Sequence, residues 1–85
     1  MANTKVLVVE DDPFIGELVV DLLEAAGYTV VQFQDGADFL ERVKQERPSL
    51  VLLDLQLPGV YGVTLAQRLR ADPKTRGISI LALTA

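Results

Sequence analysis

The feature that most constrains the fold is an alternation of two apolar patterns along the chain. Four short segments have the length and composition of buried strands, and three stretches between them carry apolar residues at helical spacing. The predicted strands cover residues 5–9, 29–33, 50–54 and 78–83. Apolar strands that alternate with helices are typical of a parallel sheet with helices on its faces. The sequence therefore predicts an α/β domain with the element order βαβαβαβ.

Capping and breaking residues limit the predicted helices. The Asp12-Pro13 pair is the pattern of an N-cap followed by proline at the first helical position, and Gly27 suits a helix C-terminus. We expect the second helix to follow a turn and cap at Asp35-Gly36 and to end before Pro48, since proline disfavours helix at the preceding residue. The third helix is expected over residues 63–70. The apolar positions at helical spacing are Phe14, Ile15, Leu18, Val19, Leu22, Ala25, Ala26, Phe39, Leu40, Val43, Leu65, Ala66 and Leu69.

Composition narrows the chemistry open to this chain. Its 85 residues suffice for one small domain, and a net charge of −4 gives no reason to expect nucleic-acid binding. There is no cysteine and no histidine, which excludes thiolate and imidazole ligands and a phosphohistidine on this chain. The longest apolar runs fall far short of the roughly 20 residues that span a bilayer, and residues 1–5 lack a signal peptide's apolar stretch. We therefore expect a soluble, cytoplasmic protein without a membrane partner.

Acidic residues follow two of the apolar segments. Asp54 ends the segment 50–54, and the Glu10-Asp11-Asp12 cluster follows the segment 5–9. In open parallel sheets, ligands bind at the carboxyl ends of strands, where the strand order reverses. If the first and third strands flank that point, Glu10, Asp11 and Asp54 share one anionic pocket.

Such a pocket suits Mg²⁺, which takes octahedral oxygen coordination from one or two carboxylates, water and phosphate oxygens. We expect one of Glu10 and Asp11 to bind the ion directly and the other through water. A backbone carbonyl just after Asp54 is a further candidate ligand. Because the ion could neutralise an incoming phosphoryl group, Asp54 is left as the candidate nucleophile that forms an aspartyl-phosphate.

Each residue also has a plain structural interpretation. Asp12 alone is most simply an N-cap, and Glu10-Asp11 alone fits a solvated loop. Asp54 before a Pro-Gly pair fits loop capping, and Thr84 at a strand end is an ordinary β-branched residue. Their joint occurrence at the ends of the first, third and fourth strands favours a site.

In this order and spacing, the residues resemble the receiver domain of two-component response regulators. The matching segments are Val8-Val9-Glu10-Asp11-Asp12, Leu52-Leu53-Asp54-Leu55-Gln56-Leu57-Pro58-Gly59, Gly62 and Leu83-Thr84-Ala85. The resemblance runs the length of the chain and implies a flavodoxin-like (CheY-like) open parallel sheet of order 2-1-3-4-5. Residues 1–85 would form the N-terminal part of a receiver, with strand order 2-1-3-4.

The resemblance implies a role for each site residue. Glu10 and Asp11 are the acidic pair, and Asp54 is the phosphoacceptor and a metal ligand. Gln56 is a metal ligand through its backbone carbonyl, and Thr84 is the switch hydroxyl. The implied cofactor is Mg²⁺, and the implied partner is a sensor histidine kinase or a phosphotransfer protein. The expected activity is at most self-phosphorylation from a donor, not that of an enzyme.

Receivers continue after the fourth strand through a helix, a fifth strand with an essential lysine and a last helix, whereas this sequence ends at Ala85. We expect a fragment whose fourth strand is an exposed apolar edge, and whose second sheet face is covered by one helix only. Self-association through this strand and the uncovered face, as a homodimer or a larger assembly, is the predicted consequence.

Two other interpretations stay open. The chain could be a structural or interaction half-fold that is not phosphorylated and whose acids are only inherited. It could also be a phosphatase with an aspartate nucleophile, which wants a second acid two residues after the nucleophile, where Gln56 stands.

Overall fold

A parallel sheet of four strands forms the centre of the molecule. The computed structural model describes residues 4–34, 36–55 and 62–83. In chain order the elements are β1 (Lys5–Val9), α1 (Pro13–Ala25), β2 (Thr29–Phe33), α2 (Phe39–Glu46), β3 (Leu50–Asp54), α3 (Gly62–Ala71) and β4 (Ser79–Leu83). The strand order is β2-β1-β3-β4 with parallel pairings, which confirms the predicted fold class and order.

The register of the sheet brings the carboxyl ends of β1 and β3 to one level. Val9 pairs with Leu53 across these strands. Glu10 and Asp54 are the next residues on each strand, so they lie side by side at a strand spacing of roughly 4.8 Å. On the other side of β1, Glu10 N donates a hydrogen bond to Phe33 O at 3.0 Å. The sheet therefore continues to the residues that carry the acids.

Two apolar layers hold the helices on the sheet. α2 and α3 cover one face, whereas α1 covers the other against β1 and β2, as the sequence predicted. On the first face the buried residues are Leu7, Val9, Phe33, Phe39, Val43, Val51, Leu53, Leu65 and Leu69. On the second they are Val6, Val8 and Leu52, with Val19, Leu23, Val30, Leu50 and Leu83 partly buried beside them.

The start of α1 follows its capping signal. The Asp12 side chain accepts hydrogen bonds from Phe14 N at 2.9 Å and Ile15 N at 3.3 Å, with proline at the first helical position. Beyond the other end, Gly27 has a φ of 98°, which glycine adopts without strain. The predicted cap and stop of this helix are both confirmed.

The start of α2 differs from the prediction. The helix begins after Asp38, which has a left-handed φ of 52° and makes no side-chain capping bond. The Gly36 carbonyl accepts a bond from Phe39 N at 3.2 Å, so the predicted turn is present at Gly36. The N-cap position is Asp38 and not Gly36, whereas the part of the prediction that concerns Asp35 lies outside the described residues. The helix ends before Pro48 as predicted, with Arg47 left-handed.

The most regular apolar stripe of α1, formed by Phe14, Leu18 and Leu22, faces solvent and not the sheet. Phe14, Leu18 and Leu22 are 75%, 51% and 63% exposed. The inner face carries Val19, Leu23 and the buried Gly16, beside which the Gln32 amide lies where a Cβ would project. Two apolar stripes share this helix, so its periodicity alone does not identify the buried one.

The connection from α3 to β4 is fixed by hydrogen bonds. Thr75, 1% exposed, donates through Oγ1 to Leu69 O at 2.7 Å. Arg70 Nη1 donates to Arg76 O at 2.8 Å and to Ile78 O at 2.6 Å. α3 is one residue longer at each end than predicted, and β4 begins one residue later.

β4 is an edge strand of the described sheet and has little cover. Ser79, Leu81 and Ala82 are exposed, Leu81 by 55%. Leu81 pairs with Leu52 on the face that α1 covers, but α1 packs mainly against β1 and β2. Of the three helices in the described part of the chain, none combines the length and the apolar character needed to cross a membrane.

Candidate functional site

Three carboxylates converge at the carboxyl edge of the sheet. Glu10 and Asp11 follow β1, and Asp54 is the last residue of β3. One carboxylate oxygen of each residue lies within 4.8 Å of the others. The structure thus brings together the three acids that the sequence places in one pocket.

Two of the three acids are removed from solvent. Glu10 is 6% exposed and Asp54 is 9% exposed, whereas Asp11 is exposed. Glu10 Oε1 accepts a hydrogen bond from Asp12 N at 3.2 Å, which fixes the carboxylate beside the start of α1. Buried carboxylates at this separation repel each other strongly, because the surrounding protein screens their charges less than water does.

The burial of Glu10 carries an electrostatic cost. Burial raises the pKa of its carboxyl above the ordinary value of 4.5, and the nearby Asp54 and Asp11 carboxylates raise that pKa further. The hydrogen bond from Asp12 N acts in the opposite direction and lowers the pKa, but the net direction is upward. Glu10 therefore favours its protonated form more than an exposed glutamate does, unless a cation is present.

The donor set fits a hard divalent cation. With bond lengths of about 2.1 Å, adjacent ligands of an octahedral Mg²⁺ stand roughly 3.0 Å apart and opposite ligands roughly 4.2 Å apart. The three carboxylate oxygens lie within 4.8 Å of one another, so they are close enough together for one ion to draw them in as ligands. Such an ion would also offset the repulsion among the three acids.

Gly62, the first residue of α3, packs against the backbone at the end of β3. Its backbone N donates to Leu55 O at 3.2 Å, which places the start of α3 directly against the strand end. A Cβ at this position would lie 2.5 Å from both Asp54 O and Leu55 Cα. In the sequence, Gly62 was identified only as one of the residues that match the receiver family. Its contact with the Asp54 backbone is visible only in the structure.

The other predicted site residues are not placed by this structure. Gln56 and Thr84 lie outside the described residues. Leu55 N donates to Leu83 O at 3.3 Å, so the last described residues before Gln56 and before Thr84 in the sequence lie beside each other.

Comparison with known proteins agrees with this architecture. The sequence matches the response regulator receiver domain family over residues 6–85. The DNA-binding dual master transcriptional regulator RpaA of Synechocystis is 47% identical over 81 residues, which are 95% of this chain and 34% of RpaA. The chain thus spans about a third of the length of that regulator.

Two solved receiver structures superpose closely. The N-terminal domain of a response regulator receiver protein from Methanoculleus marisnigri has a TM-score of 0.92 at 37% identity, with 99% of this chain and 68% of that chain covered. The receiver domain of the sensor histidine kinase PA1611 from Pseudomonas aeruginosa has a TM-score of 0.91 at 31% identity, with 99% and 69% covered. That structure holds a magnesium ion coordinated in the active site cleft.

Fold and site define an α/β domain with an acidic pocket at the switch point of its parallel sheet. The chain belongs to the response regulator receiver domain family. Receiver domains bind Mg²⁺ at an acidic site and interact with histidine kinases or phosphotransfer partners.

Replacing Gly62 with alanine should disturb the site through the backbone. The new Cβ would press on Asp54 and Leu55, so we expect Gly62→Ala to lower the free energy of unfolding by about 1–3 kcal/mol and to weaken Mg²⁺ binding. Gly77→Ala is the matched control, because a Cβ there meets nothing within 4 Å. Urea unfolding and Mg²⁺ titration of both variants measure the effect, and equal results for the two would contradict it.

The raised pKa of Glu10 predicts a pH-dependent stability. A carboxyl with a raised folded-state pKa binds more protons in the folded protein, so stability falls as pH rises from 4.5 through the raised value. Without divalent cations, Glu10→Gln should therefore be more stable than the wild type at about pH 7 and gain less at about pH 4. Urea unfolding at both pH values tests this, with the exposed Glu17→Gln as control. A gain that is independent of pH would refute the electrostatic explanation.

Proposed function

We propose that this chain is the phosphoacceptor receiver module of a two-component phosphorelay, in which Asp54 accepts a phosphoryl group with Mg²⁺. The observation that carries the proposal is the convergence of Glu10, Asp11 and Asp54 at the carboxyl edge of a receiver fold. The magnesium ion in the receiver domain of PA1611 supports the choice of metal.

The proposed reaction is a transfer to a carboxylate. An oxygen of Asp54 attacks the phosphorus atom and forms a new P–O bond. The bond between phosphorus and the donor breaks, and its electron pair leaves with the donor. Glu10 and Asp11 would hold Mg²⁺ beside Asp54, and the bound ion would supply positive charge to the phosphoryl oxygens. Since Asp54 is nearly buried, little water weakens these interactions.

Further roles follow from the family resemblance. We propose the Gln56 carbonyl as another metal ligand and the Thr84 hydroxyl as the switch that responds to the phosphoryl oxygens. The phosphoryl donor would be a sensor histidine kinase or a phosphotransfer protein, because the chain has no histidine to carry the group itself. Each acceptor carboxylate takes one group, so the chain is not proposed to be an enzyme with turnover.

We also propose that the 85-residue chain associates with itself through β4. The strand presents Leu81 and Ala82 at a sheet edge, and unpaired edge strands of apolar residues promote pairing with other chains. The uncovered sheet face around Leu81 would add apolar area to the contact.

Metal binding is tested by titrating Mg²⁺ into the chain and following amide NMR signals. We expect the largest shifts at Glu10, Asp11 and Asp54, and a dissociation constant that rises roughly tenfold or more in Asp11→Ala and Asp54→Asn, because each variant loses a carboxylate ligand. Asp21→Asn, an exposed acid on α1, should leave the affinity unchanged. The same titration curve in all three variants would reject the site.

Phosphoryl transfer is tested with acetyl phosphate and Mg²⁺, followed by intact-mass measurement. The proposal predicts a species heavier by about 80 Da, the mass of an added HPO₃, that disappears in Asp54→Asn. Asp12→Asn keeps an N-cap residue and serves as the matched control, which should still be modified. If no modified species forms while Mg²⁺ still binds, the alternative of a non-phosphorylated interaction module is favoured.

Self-association is tested by light scattering over a concentration series. We expect the wild type to form dimers or larger species, and Leu81→Lys to shift the equilibrium toward monomer, because a charge at an edge strand opposes pairing. Leu22→Lys places the same charge on the exposed stripe of α1 and should not change the mass. A wild-type chain that stays monomeric up to high micromolar concentration would contradict the proposal.

A further inference from the structure

The first turn of α1 has a glycine at the position where it meets the sheet. Gly16 is buried on the inner face of the helix, whereas the next residues on that face are the larger Val19 and Leu23. Gly16 N donates to Asp12 O at 2.8 Å, so Gly16 lies one helical turn after the N-cap. The start of α1 therefore meets the sheet through its backbone, and the rest of the helix meets it through side chains.

The space that a side chain at position 16 would fill is occupied by Gln32 of β2. The Gln32 amide nitrogen lies where a Cβ of residue 16 would project, and Gln32 Cδ lies 3.3 Å from that point. Gln32 pairs with Val8 in the register of β1 and β2, so both side chains lie on the sheet face that α1 covers. At this point α1 and β2 pack together through an amide seated on a glycine.

The side chain of Glu10 lies beside this contact. A Cβ at position 16 would lie 3.8 Å from Glu10 Cβ, which is an ordinary van der Waals distance. One turn earlier in the helix, Asp12 N donates to Glu10 Oε1 at 3.2 Å. Positions 12 and 16 of one helix face therefore flank Glu10 at its carboxylate and near its Cβ. If α1 moved away from the sheet at Gly16, the hydrogen bond that fixes the Glu10 carboxylate would lengthen.

We infer that Gly16 and Gln32 are positioning residues of the acidic pocket. The Gln32 amide, seated on Gly16, sets how closely the start of α1 approaches Glu10. That approach keeps the Glu10 carboxylate bonded to Asp12 N, beside the other two acids. The inference rests on the proposed metal site, because a ligand that is already fixed loses less conformational freedom when the ion binds. Replacing residues that orient metal ligands in this way typically lowers metal affinity roughly 10–100-fold.

The inference is tested by a double-mutant cycle on Mg²⁺ affinity, measured by NMR titration of the 85-residue chain. In Gly16→Ala the new Cβ meets the Gln32 amide and pushes α1 outward, so we expect the dissociation constant to rise roughly tenfold. In the Gln32→Ala background that amide is gone, and the same change should raise the dissociation constant by about twofold or less. Since alanine favours helix more than glycine does, weaker binding in Gly16→Ala would not arise from a weaker helix.

The amide proton of Asp12 reports on the same contact without metal. Its NMR signal should move upfield in Gly16→Ala, because the hydrogen bond to Glu10 lengthens, and it should return toward the wild-type position in Gly16→Ala/Gln32→Ala. This signal is read in the metal-free chain, so it decides the inference even if the wild type binds no Mg²⁺. Absence of Mg²⁺ binding by the wild type would count against the proposed function alone.

Gly77→Ala and Gln67→Ala are the matched controls, because a Cβ at position 77 meets nothing within 4 Å and Gln67 is an exposed residue of α3. Both variants should keep the Mg²⁺ affinity and the Asp12 signal of the wild type. A Gly16→Ala chain whose Asp12 signal does not move would overturn the inference. An effect of Gly16→Ala that is equally large with and without the Gln32 amide would overturn it too.

Discussion

The parallel pairing of β1 with β3 is the constraint on which the rest of this molecule depends. With Val9 opposite Leu53, the next residue on each strand is an acid, and the two acids meet at the carboxyl edge of the sheet. Burying them together raises the pKa of Glu10 and leaves a place that favours a hard cation. The apolar strands specify the fold. Their register brings carboxylates together, and the repulsion between these carboxylates favours the binding of a cation.

The sequence alone predicted the secondary structure correctly where one local signal, such as an apolar run or a capping pair, outweighs the others. Three strands were predicted with their observed limits, because short apolar runs between breakers leave few alternatives, and the Asp12-Pro13 start of α1 is a local interaction. The outward stripe of α1 was not assigned to a face, since two apolar stripes of similar strength compete on that helix. Asp38 was not recognised as the N-cap of α2, because its side chain makes no capping bond that a sequence pattern could indicate.

The carboxylates of the site could be predicted from the sequence, but the packing contacts that position them could not. Glu10, Asp11 and Asp54 are found from their positions after apolar runs. The packing of Gly62 against the Asp54 carbonyl depends on how α3 meets β3, which no spacing rule encodes.

The central claim is that one cation occupies the pocket shared by the two strand ends, and Mn²⁺ as a paramagnetic substitute for Mg²⁺ tests it most directly. Carboxylate sites accept both ions, and amides near bound Mn²⁺ lose their NMR signals. The account predicts that substoichiometric Mn²⁺ broadens residues 10–12 and 54–55 first and that excess Mg²⁺ restores them. Broadening centred instead on the acidic surface of α1, at Glu17, Asp21 and Glu24, would contradict it.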